Sequence, residues 1–422
     1  MQGFARRHTV KAALAWLDAQ LHPLGTEDIP LRAAGGRVLA TRVVSNIDVP
    51  GFDRATMDGY AVVADSTEGA TAYNRVALKV VGDAMPGLPF ARALVRGEAV
   101  RIMTGAPIPS GSDAVLPAEF VDAGGAEAPP LPALDIDSGR GGPSGPPEIF
   151  AISTVSPGKN IGRRGEDIVH GTELLEEKRV LRPQDIGVMS SIGLGHANVV
   201  RKPRVRLVIT GNELLPSGSQ PRGFQITDAN GPMLAALAER DGAIVDFPGL
   251  VRDDGEAIRT ALHADADVVI VSGGSSVGVE DLAPSLVAED GELAVHGIAM
   301  RPSSPTGMGR VGQRLIFLLP GNPVSALCAY DFFAGRAIRV LGGRPSEWPY
   351  RSGRARLARK ISSPIGRLDY ARVKFENGVL EPLSVSGASV LSSTTRADGF
   401  VIVDDDSEGY AADSEVTVWL YA

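Results

Sequence analysis

The chain has 422 residues, 44% hydrophobic and 22% charged, which is typical of a soluble globular protein with two to four domains. Its net charge of −8 and pI of about 5.4 argue against nucleic acid or an acidic membrane as a partner, and no apolar run is long enough to span a membrane. The single cysteine, Cys328, excludes an intrachain disulfide and argues against a Cys/His zinc site; together with residues 1–7, which lack a signal-peptide core, it indicates a cytoplasmic protein.

An amphipathic helix is predicted near the N-terminus, from Thr9 to Leu21, because Thr9 is a good N-cap and apolar residues recur at helical spacing. A short helix-like piece is predicted between residues 30 and 44. Residues 60–120 read as short strands, which indicates an all-β module. Its predicted strands are Tyr60–Val63, Val76–Val81, Glu98–Met103 and Ala114–Leu116. The glycine- and proline-rich stretch 122–148 is low in complexity, and we assign it no chemistry.

Two polar loops of this half are candidates for a site. The first, residues 50–59, carries Asp58 just ahead of a strand; the alternative is a plain Asp-Gly turn. The second, residues 157–168, sets Arg163 and Arg164 beside two acids. A solvated hairpin is one interpretation of this charged loop, and an interface or an anion site is the other.

From Val205 onwards strands and helices alternate, which predicts a mainly parallel, doubly wound sheet. The predicted strands are Val205–Ile209, Ala243–Phe247, Val268–Val271 and Arg314–Leu319. Capping residues mark predicted helix starts at Asp228, within Arg252-Asp253-Asp254, at Asp281 and at Asn322. The last of these helices begins with Pro323 and is predicted to run to about Leu341.

The stretch 267–278 is the central feature of this region. A strand of four β-branched residues runs into Ser272, Gly273, Gly274, Ser275, Ser276 and Gly278. An uninterrupted apolar strand is typical of a parallel sheet, in which both faces are buried. Small residues at its end let backbone N–H groups surround an anion, so the stretch predicts a phosphate site. The alternative is a glycine-rich turn with no ligand.

Three predicted strand ends carry small-residue turns: Thr210-Gly211, Ser272-Gly273 and Pro320-Gly321. Parallel strands place such turns at one edge of the sheet, where open α/β sheets bind ligands. Three acids would hang over the same edge: Glu213, Asp253 and Asp281. Because carboxylates without a cation repel one another, we expect Mg²⁺ or a basic ligand group there, and we assign the metal to Glu213 and Asp281. Taken singly, each acid is better explained as a helix cap, whereas the three acids as a set favour a site.

Residues 344–422 return to short β runs, which predicts a small β-barrel or sandwich. The predicted strands are Ala355–Lys360, Tyr370–Phe375, Phe400–Asp404 and Glu415–Leu420. The predicted fold class is therefore a multi-domain α/β plus β protein, with a central doubly wound α/β domain, an inserted β module and a C-terminal β-barrel.

Together these motifs resemble the molybdopterin molybdenumtransferase family, which includes MoeA and the E domain of gephyrin. The resemblance covers nearly the whole chain, with the motifs in the family's order. The matching segments are Val49–Asp53, Met57–Tyr60, Arg101–Pro107, Arg164–Asp167, Thr210–Leu214, Arg252-Asp253, Ser272–Gly278 with Asp281, and Leu319–Ser325.

The resemblance implies a homodimer of four-domain subunits. Residues 1–45 and 165–202 would form domain I, residues 46–164 the β-rich domain II, residues 203–343 the α/β domain III and residues 344–422 the β-barrel domain IV. It also implies a site between domain III of one subunit and domain II of the other. There, molybdate would be inserted into adenylylated molybdopterin and AMP released with help from Mg²⁺. A molybdopterin adenylyltransferase and acceptor molybdoenzymes would be partners.

The residues of this implied site follow from the matching motifs. Asp58 and Thr104 would come from one subunit, and Asp167 matches an acid of the family's charged loop. The other subunit would supply Glu213, Asp253 and Asp281 as catalytic acids. The cofactor-binding residues would be the glycine-rich loop together with Arg301, Ser304, Pro320, Gly321, Asn322 and Pro323.

Three positions depart from the family's pattern. Arg301 and Ser304 stand where lysines are typical, and Gly162 stands where an arginine is usual. Lost positive charge should weaken oxyanion affinity, by about 1–3 kcal/mol per charged hydrogen bond, unless Arg163 or Arg164 compensates. Three interpretations stay open: an active insertase with an altered anion pocket, a paralogue that binds finished or modified cofactor for one molybdoenzyme, and a non-catalytic scaffold.

Overall fold

A computed structural model describes residues 7–122, 148–273, 282–384 and 389–421. The chain divides into two compact units. Unit 1 comprises residues 1–41, 177–183 and 196–422, and unit 2 comprises residues 42–176 and 184–195.

Unit 1 is built around a seven-stranded sheet. Its strands are β1 (Arg204–Thr210), β2 (Ile244–Asp246), β3 (Leu250–Val251), β4 (Val268–Ser272), β5 (Glu292–His296), β6 (Gly307–Val311) and β7 (Arg314–Leu319). The main order is β2-β1-β4-β7-β6-β5, and β3 also pairs with β1. Pairings among β2, β3, β1, β4 and β7 are parallel, whereas β6 pairs antiparallel with β7 and with β5.

Side chains of the parallel strands alternate between two hydrophobic clusters. Val268 and Ile270 belong to one cluster, and Val269 and Val271 to the other. All four are fully buried, and each contributes about 2 kcal/mol through its removal from water. The prediction that this uninterrupted apolar run is buried on both faces is confirmed.

Helices cover both faces of the sheet, as a doubly wound arrangement requires. The helices of the chain are α1 (Val10–Asp18), α2 (Pro183–Ser191), α3 (Asn230–Arg240), α4 (Gly255–Leu262), α5 (Leu282–Asp290), α6 (Pro323–Ala329), α7 (Gly335–Leu341) and α8 (Ser392–Thr395). Residues of α1, α3, α6 and α7 pack in one cluster and residues of α4 and α5 in the other. Across the described ranges, no helix is long and apolar enough to cross a lipid bilayer.

The N-terminal segment agrees with its prediction only in part. Thr9 caps α1, since its side chain accepts a hydrogen bond from the N–H of Ala12 at 3.1 Å. The helix-like piece predicted between residues 30 and 44 is wrong, apart from one 3₁₀ turn at Leu31–Ala33. The physical reason is Gly36, whose φ of 74° lies outside the helical region.

Unit 2 contains a six-stranded sheet, which confirms the predicted strands of the β module to within about three residues at each end. Its strands are Gly59–Val62, Val76–Ala84, Glu98–Ile102, Ala114–Pro117, Val121–Asp122 and Glu148–Ala151. Short strand pairs complete both units: Thr26–Pro30 with His196–Val200, Val43–Val44 with Glu173–Leu175, Arg54–Ala55 with Ile161–Gly162, Leu214–Leu215 with Ile226–Thr227, and Ile361–Ser362 with Gly409–Tyr410.

The C-terminal part of unit 1 forms a second, six-stranded sheet. Its strands are Met300–Arg301, Arg351–Arg356, Leu368–Glu376, Val379–Ser384, Gly399–Val403 and Glu415–Leu420. Strand pairing runs from Met300–Arg301 at one edge to Arg351–Arg356 at the other, and closure of this sheet into a barrel stays a prediction.

A buried charged network ties α3 to the segment that leads into the C-terminal sheet. Asp331 is fully buried, accepts a hydrogen bond from the Tyr350 hydroxyl at 3.0 Å and lies 3.5 Å from an Arg240 nitrogen. Asp241 nearby accepts a hydrogen bond from Arg339 at 2.9 Å. Burial raises the pKa of Asp331 to about 6, although the charge of Arg240 opposes the rise.

We expect this carboxyl to make stability depend on pH. Between about pH 4 and pH 6 the unfolded chain holds Asp331 ionised while the folded chain holds it protonated, so its contribution to the unfolding free energy falls as pH rises. The fall is roughly 2–3 kcal/mol. Urea unfolding of the wild type and of Asp331→Asn at several pH values gives two curves of unfolding free energy against pH. The change with pH in the difference between these curves measures the fall.

The exposed Asp413→Asn makes the same chemical change and should leave the wild-type curve unshifted. If the Asp331→Asn curve runs parallel to the wild-type curve from pH 4 to pH 7, the assignment of this pH dependence to Asp331 is wrong.

Candidate functional site

The ends of β1, β4 and β7 meet at the carboxyl edge of the central sheet, as predicted. The parallel register sets Ile209 opposite Ser272, and Ser272 opposite Leu319. The turns that follow the three strands therefore begin at the same height. The chain leaves β1 towards β2 and leaves β4 towards β7, so the crevice between β1 and β4 is the topological switch point of the sheet.

The turns at this edge are packed backbone against backbone. Gly273 has a φ of 102°, and a Cβ placed on it would lie 2.1 Å from the carbonyl oxygen of Thr210. A Cβ on Gly321 would lie 3.8 Å from the Cα of Gly273. Any residue other than glycine at 273 would therefore push β1 and β4 apart at the crevice.

Asn230, the first residue of α3, also belongs to this edge, although the sequence analysis did not select it. Its Nδ2 donates to the Ser272 hydroxyl at 2.9 Å and to the carbonyl oxygen of Gly321 at 2.8 Å. The residue is buried. The sequence signal that could have identified Asn230 is a polar side chain at the start of the predicted helix, two residues after Asp228. The Asp228 carboxylate itself accepts a hydrogen bond from the N–H of Gly231, and Asp228 lies two residues before the first residue of α3.

Two of the three predicted acids lie beside the end of β1. Asp253 is half-buried and accepts a hydrogen bond from the Thr210 hydroxyl at 3.1 Å. The helix cap is its neighbour Asp254, which accepts from the N–H of Ala257 at 2.9 Å, so the capping role does not account for Asp253. Glu213 is exposed, with a carboxylate oxygen 3.0 Å from where a Cβ on Gly211 would stand.

The remaining predicted acid, Asp281, and the loop residues Gly274, Ser275, Ser276 and Gly278 lie outside the described residues. Within the described ranges, no group of three or more His, Cys, Asp or Glu side chains is placed to hold a metal. Glu213 and Asp253 provide two carboxylates, which alone do not complete such a group.

The segment 301–305 is fixed against the start of α6. The Ser303 hydroxyl donates to the carbonyl oxygen of Ser325 at 2.6 Å, and Ser303 itself has a φ of 93°. Arg301 forms an ion pair of 2.6 Å with Asp369, which is fully buried. Arg367 contacts the same carboxylate at 3.0 Å, so the two guanidinium groups and one carboxylate leave a local net charge of +1.

Two buried atoms of this segment have no hydrogen-bond partner in the part of the chain that the structure describes: the Arg301 Nε and the Ser304 Oγ. An unpaired buried donor is costly, and such groups are often completed by a ligand. Both atoms are donors, so an oxyanion is the ligand class that would complete them.

Asn322 and Pro323 begin α6 as predicted, with Pro323 in the first turn, but Asn322 makes no side-chain capping bond. Its side chain is exposed at the carboxyl edge. Pro320 contributes its carbonyl oxygen, which accepts a hydrogen bond from the Ser272 hydroxyl at 3.3 Å.

In unit 2 the structure brings Asp58 and Thr104 together. Strand Gly59–Val62 pairs antiparallel with strand Glu98–Ile102, and the two residues lie at the same end of this pair. Asp58 accepts hydrogen bonds from the Thr104 N–H at 2.7 Å and from its hydroxyl at 2.8 Å. These two donors, the backbone one first, hold the pKa of Asp58 below its usual value.

The glycine after Asp58 has a structural reason. Gly59 begins the strand, and a Cβ on it would lie 2.1 Å from the carbonyl oxygen of Leu116 on the neighbouring strand. The Asp-Gly pair therefore marks a close approach of two strands and not a simple turn.

The charged loop 157–168 folds onto the segment that precedes Asp58. Arg163 pairs with Asp53, and Arg164 pairs with Asp48, each at 2.6 Å. The N–H of Arg164 and then the Arg163 guanidinium lower the pKa of Asp53. Both arginines are thus engaged within unit 2, which weakens the expectation that they replace lost positive charge. Asp167 is exposed, and its N–H donates to the carbonyl oxygen of Val49.

Three family models match the chain in succession. The MoeA N-terminal region (domain I and II) matches residues 8–193, the probable molybdopterin binding domain matches residues 206–339, and the MoeA C-terminal region (domain IV) matches residues 354–421. The second match contains all three strand ends, Asn230 and Arg301.

Known proteins are similar along almost the whole chain. Molybdopterin molybdenumtransferase 2 of Mycobacterium tuberculosis is 34% identical over 403 residues, which cover 93% of this chain and 94% of the relative. The molybdopterin molybdenumtransferase of Haemophilus influenzae is 31% identical over 408 residues, covering 94% of each.

Solved structures agree. A crystal structure of the molybdopterin biosynthesis MoeA protein from Pyrococcus horikoshii OT3 has a TM-score of 0.73 at 29% identity and covers 99% of this chain and 100% of that chain. A second MoeA structure from this genus has a TM-score of 0.78 at 33% identity and covers 98% of this chain and 99% of that chain. The chain therefore belongs to the molybdopterin molybdenumtransferase family, whose members are transferases of molybdenum cofactor biosynthesis.

Proposed function

We propose that this transferase inserts molybdate into adenylylated molybdopterin and releases AMP, in the cytoplasm and with Mg²⁺. The observation that carries the proposal is the meeting of the β1, β4 and β7 ends inside the segment that matches the molybdopterin binding domain. A crevice at the switch point of an open α/β sheet, lined by small residues and helix starts, suits a phosphate-bearing ligand.

Backbone groups of the turns would hold the ligand's phosphates. We assign this role to the residues that follow β4 and β7: Ser272, Gly273, Gly274, Ser275, Ser276, Gly278, Pro320, Gly321, Asn322 and Pro323. Glycines and small side chains keep the approach to the backbone open, and the start of the helical run from Pro323 adds a favourable dipole.

The acids beside β1 suit Mg²⁺, which prefers carboxylate oxygens and retains several waters. We assign the metal to Glu213 and Asp281, with Asp253 as a third acid held in place by Thr210. When bound, the metal would offset the charge of the phosphates. The protein's own part is to hold the carboxylates and the turns in a fixed arrangement.

We further propose a homodimer with a composite site. Domain II, residues 46–164, would supply Asp58 and Thr104, and domain III, residues 203–343, would supply the strand ends of the other subunit. Asp167 of the charged loop would be a further catalytic acid. Support comes from the exposure of Asp58 and Thr104, which leaves their carboxylate and hydroxyl groups accessible to a ligand. An adenylyltransferase would deliver the adenylylated substrate, and an acceptor molybdoenzyme would take the product.

We assign molybdate to the segment of Arg301 and Ser304, where the two unpaired donors lie. The Arg301 charge is shared with Asp369, so this oxyanion pocket is weakly cationic. The same observation favours a second candidate function, a paralogue that binds finished or modified cofactor without inserting metal.

The test of insertion is an assay with purified protein, adenylylated molybdopterin, Mg²⁺ and molybdate, in which AMP release and active cofactor are both followed. We expect molybdate-dependent AMP release. Asp58→Ala and Asp281→Ala should each lower it about 100-fold, because each would remove a group that acts on the reacting ligand.

Asp65→Ala is the matched control, since Asp65 is an exposed aspartate in a short turn of unit 2. It should keep wild-type activity. Tight binding of the pterin without AMP release at any molybdate concentration would move the assignment to the cofactor-binding paralogue, and absence of binding would favour the scaffold.

Ser304→Lys should strengthen molybdate use. A lysine at this position adds a charged donor to a pocket where Asp369 shares the Arg301 charge, and one charged hydrogen bond corresponds to about a tenfold gain in affinity. We expect the molybdate concentration for half-maximal AMP release to fall by about that factor. Ser304→Met, of similar length without charge, should give no such fall, and an equal shift in both variants would contradict the electrostatic argument.

Thr104→Val tests how Asp58 is kept ionised. The variant keeps the backbone N–H that donates to Asp58 but loses the hydroxyl, so the pKa of Asp58 should rise towards its ordinary value. Carboxyl-carbon NMR titration measures that pKa directly. The acid side of the pH–rate profile should move upward with it. Thr56→Val, two residues from Asp58, serves as the control, and an unchanged pKa in Thr104→Val would refute the role of the hydroxyl.

A further inference from the structure

Asn230 links two of the three strand ends through a single amide group. Its Nδ2 donates to the Ser272 hydroxyl at the end of β4 and to the Gly321 carbonyl oxygen after β7. The Ser272 hydroxyl in turn donates a hydrogen bond to the Pro320 carbonyl oxygen at 3.3 Å. This one side chain therefore bridges Ser272 and Gly321, in addition to the backbone pairing of β4 with β7.

The backbone that carries Asn230 is fixed on the side where α3 continues. The carboxylate of Asp228 accepts from the N–H of Gly231 at 2.9 Å. A Cβ on Gly231 would lie 2.3 Å from the Phe247 ring, so α3 begins in close contact with its surroundings. Because this backbone is constrained, the Asn230 side chain holds the groups to which it donates hydrogen bonds in fixed positions.

The side-chain amide of Asn230 is only partly satisfied by hydrogen bonds. Its Oδ1 is buried and has no hydrogen-bond partner among the residues that the structure describes. The desolvation penalty of this unpaired acceptor offsets part of the gain from the two hydrogen bonds that Nδ2 donates. A buried polar side chain that is kept with one atom unpaired points to a role in the site.

We propose that Asn230 is a positioning residue for molybdopterin binding. It acts through Ser272 and Gly321, holding the Ser272-Gly273 end of β4 and the Pro320-Gly321 turn after β7 at the spacing in which both bind the same ligand. This inference rests on the proposed function only in assigning the carboxyl edge to molybdopterin, and it does not require metal insertion.

The test compares equilibrium molybdopterin binding by the full-length wild type, Asn230→Ala, Ser272→Ala and the double variant. We expect Asn230→Ala to weaken binding about tenfold, because a small misplacement of binding groups is costly. The melting temperature should fall by only a few degrees, since removal of the unpaired Oδ1 offsets part of the loss of two hydrogen bonds. The double variant should bind no more weakly than Asn230→Ala, because Ser272 is held through Asn230.

Asn74→Ala is the matched control. The Asn74 Nδ2 donates to the Gly69 carbonyl oxygen at 2.7 Å in an exposed turn of unit 2, so the variant removes the same kind of bond from another place. It should bind molybdopterin like the wild type.

Three results would overturn the inference: wild-type binding by Asn230→Ala, a loss of binding that parallels a loss of thermal stability, or additive losses in the double variant. Failure of the proposed function has a different signature, which is molybdopterin binding by the wild type without AMP release from the adenylylated form. A wild type that binds no molybdopterin overturns both.

Discussion

The parallel register of β1, β4 and β7 is the constraint on which the rest of the structure depends. Because the three strands end at one height, their turns are forced together, and the turn after β4 approaches β1 so closely that only glycine fits at 273. The helices that return from these turns cover both faces and begin at the same edge. Burial of the strands and geometry of the crevice are thus consequences of one pairing pattern.

Neutral hydroxyl groups orient the acids of the candidate site. Thr210 donates to Asp253 at the sheet edge of unit 1, and Thr104 donates to Asp58 in unit 2. A hydroxyl fixes the position of a carboxylate without placing an opposite charge beside it. Arginines have the opposite effect, since the ion pairs of Arg163 and Arg164 hold a loop in place and consume the charge of both partners.

The ion pairs around Arg301 bear directly on the proposed oxyanion site. Arg301 and Arg367 share the buried carboxylate of Asp369, so much of the charge that an oxyanion would meet is already offset. The ion pair joins residues 68 positions apart in the chain, on two strands that lie side by side. The two candidate functions, metal insertion and cofactor binding without insertion, would require different charge around Arg301. That charge is therefore the quantity to vary in an experiment.

Local patterns were sufficient for most of the elements and for the edge at which three strands converge, but not for residues 30–44 or for the strand Arg351–Arg356, which was predicted at Ala355–Lys360. The run of β-branched residues at 268–271 predicted a strand buried on both faces, and the glycine- and proline-containing turns predicted where three strands end. No comparable local pattern predicted which side chains form hydrogen bonds with each other. The choice of Asp254 over Asp253 as the helix cap, and the bonds made by Asn230, depend on contacts between segments that are distant in sequence.

By itself, therefore, the sequence determined most of the strands, the helix starts near Asp254 and Asn322, the alternation that produces a doubly wound sheet, and the motifs that place the chain in its family. These depend on steric preferences and on the periodicity of apolar residues, which act over a few positions. Only the tertiary structure decided which polar groups are paired and which remain available. Hydrogen bonds and ion pairs require distances of about 3 Å, and only the folded chain brings Asn230 to Gly321 and Arg301 to Asp369 at that range.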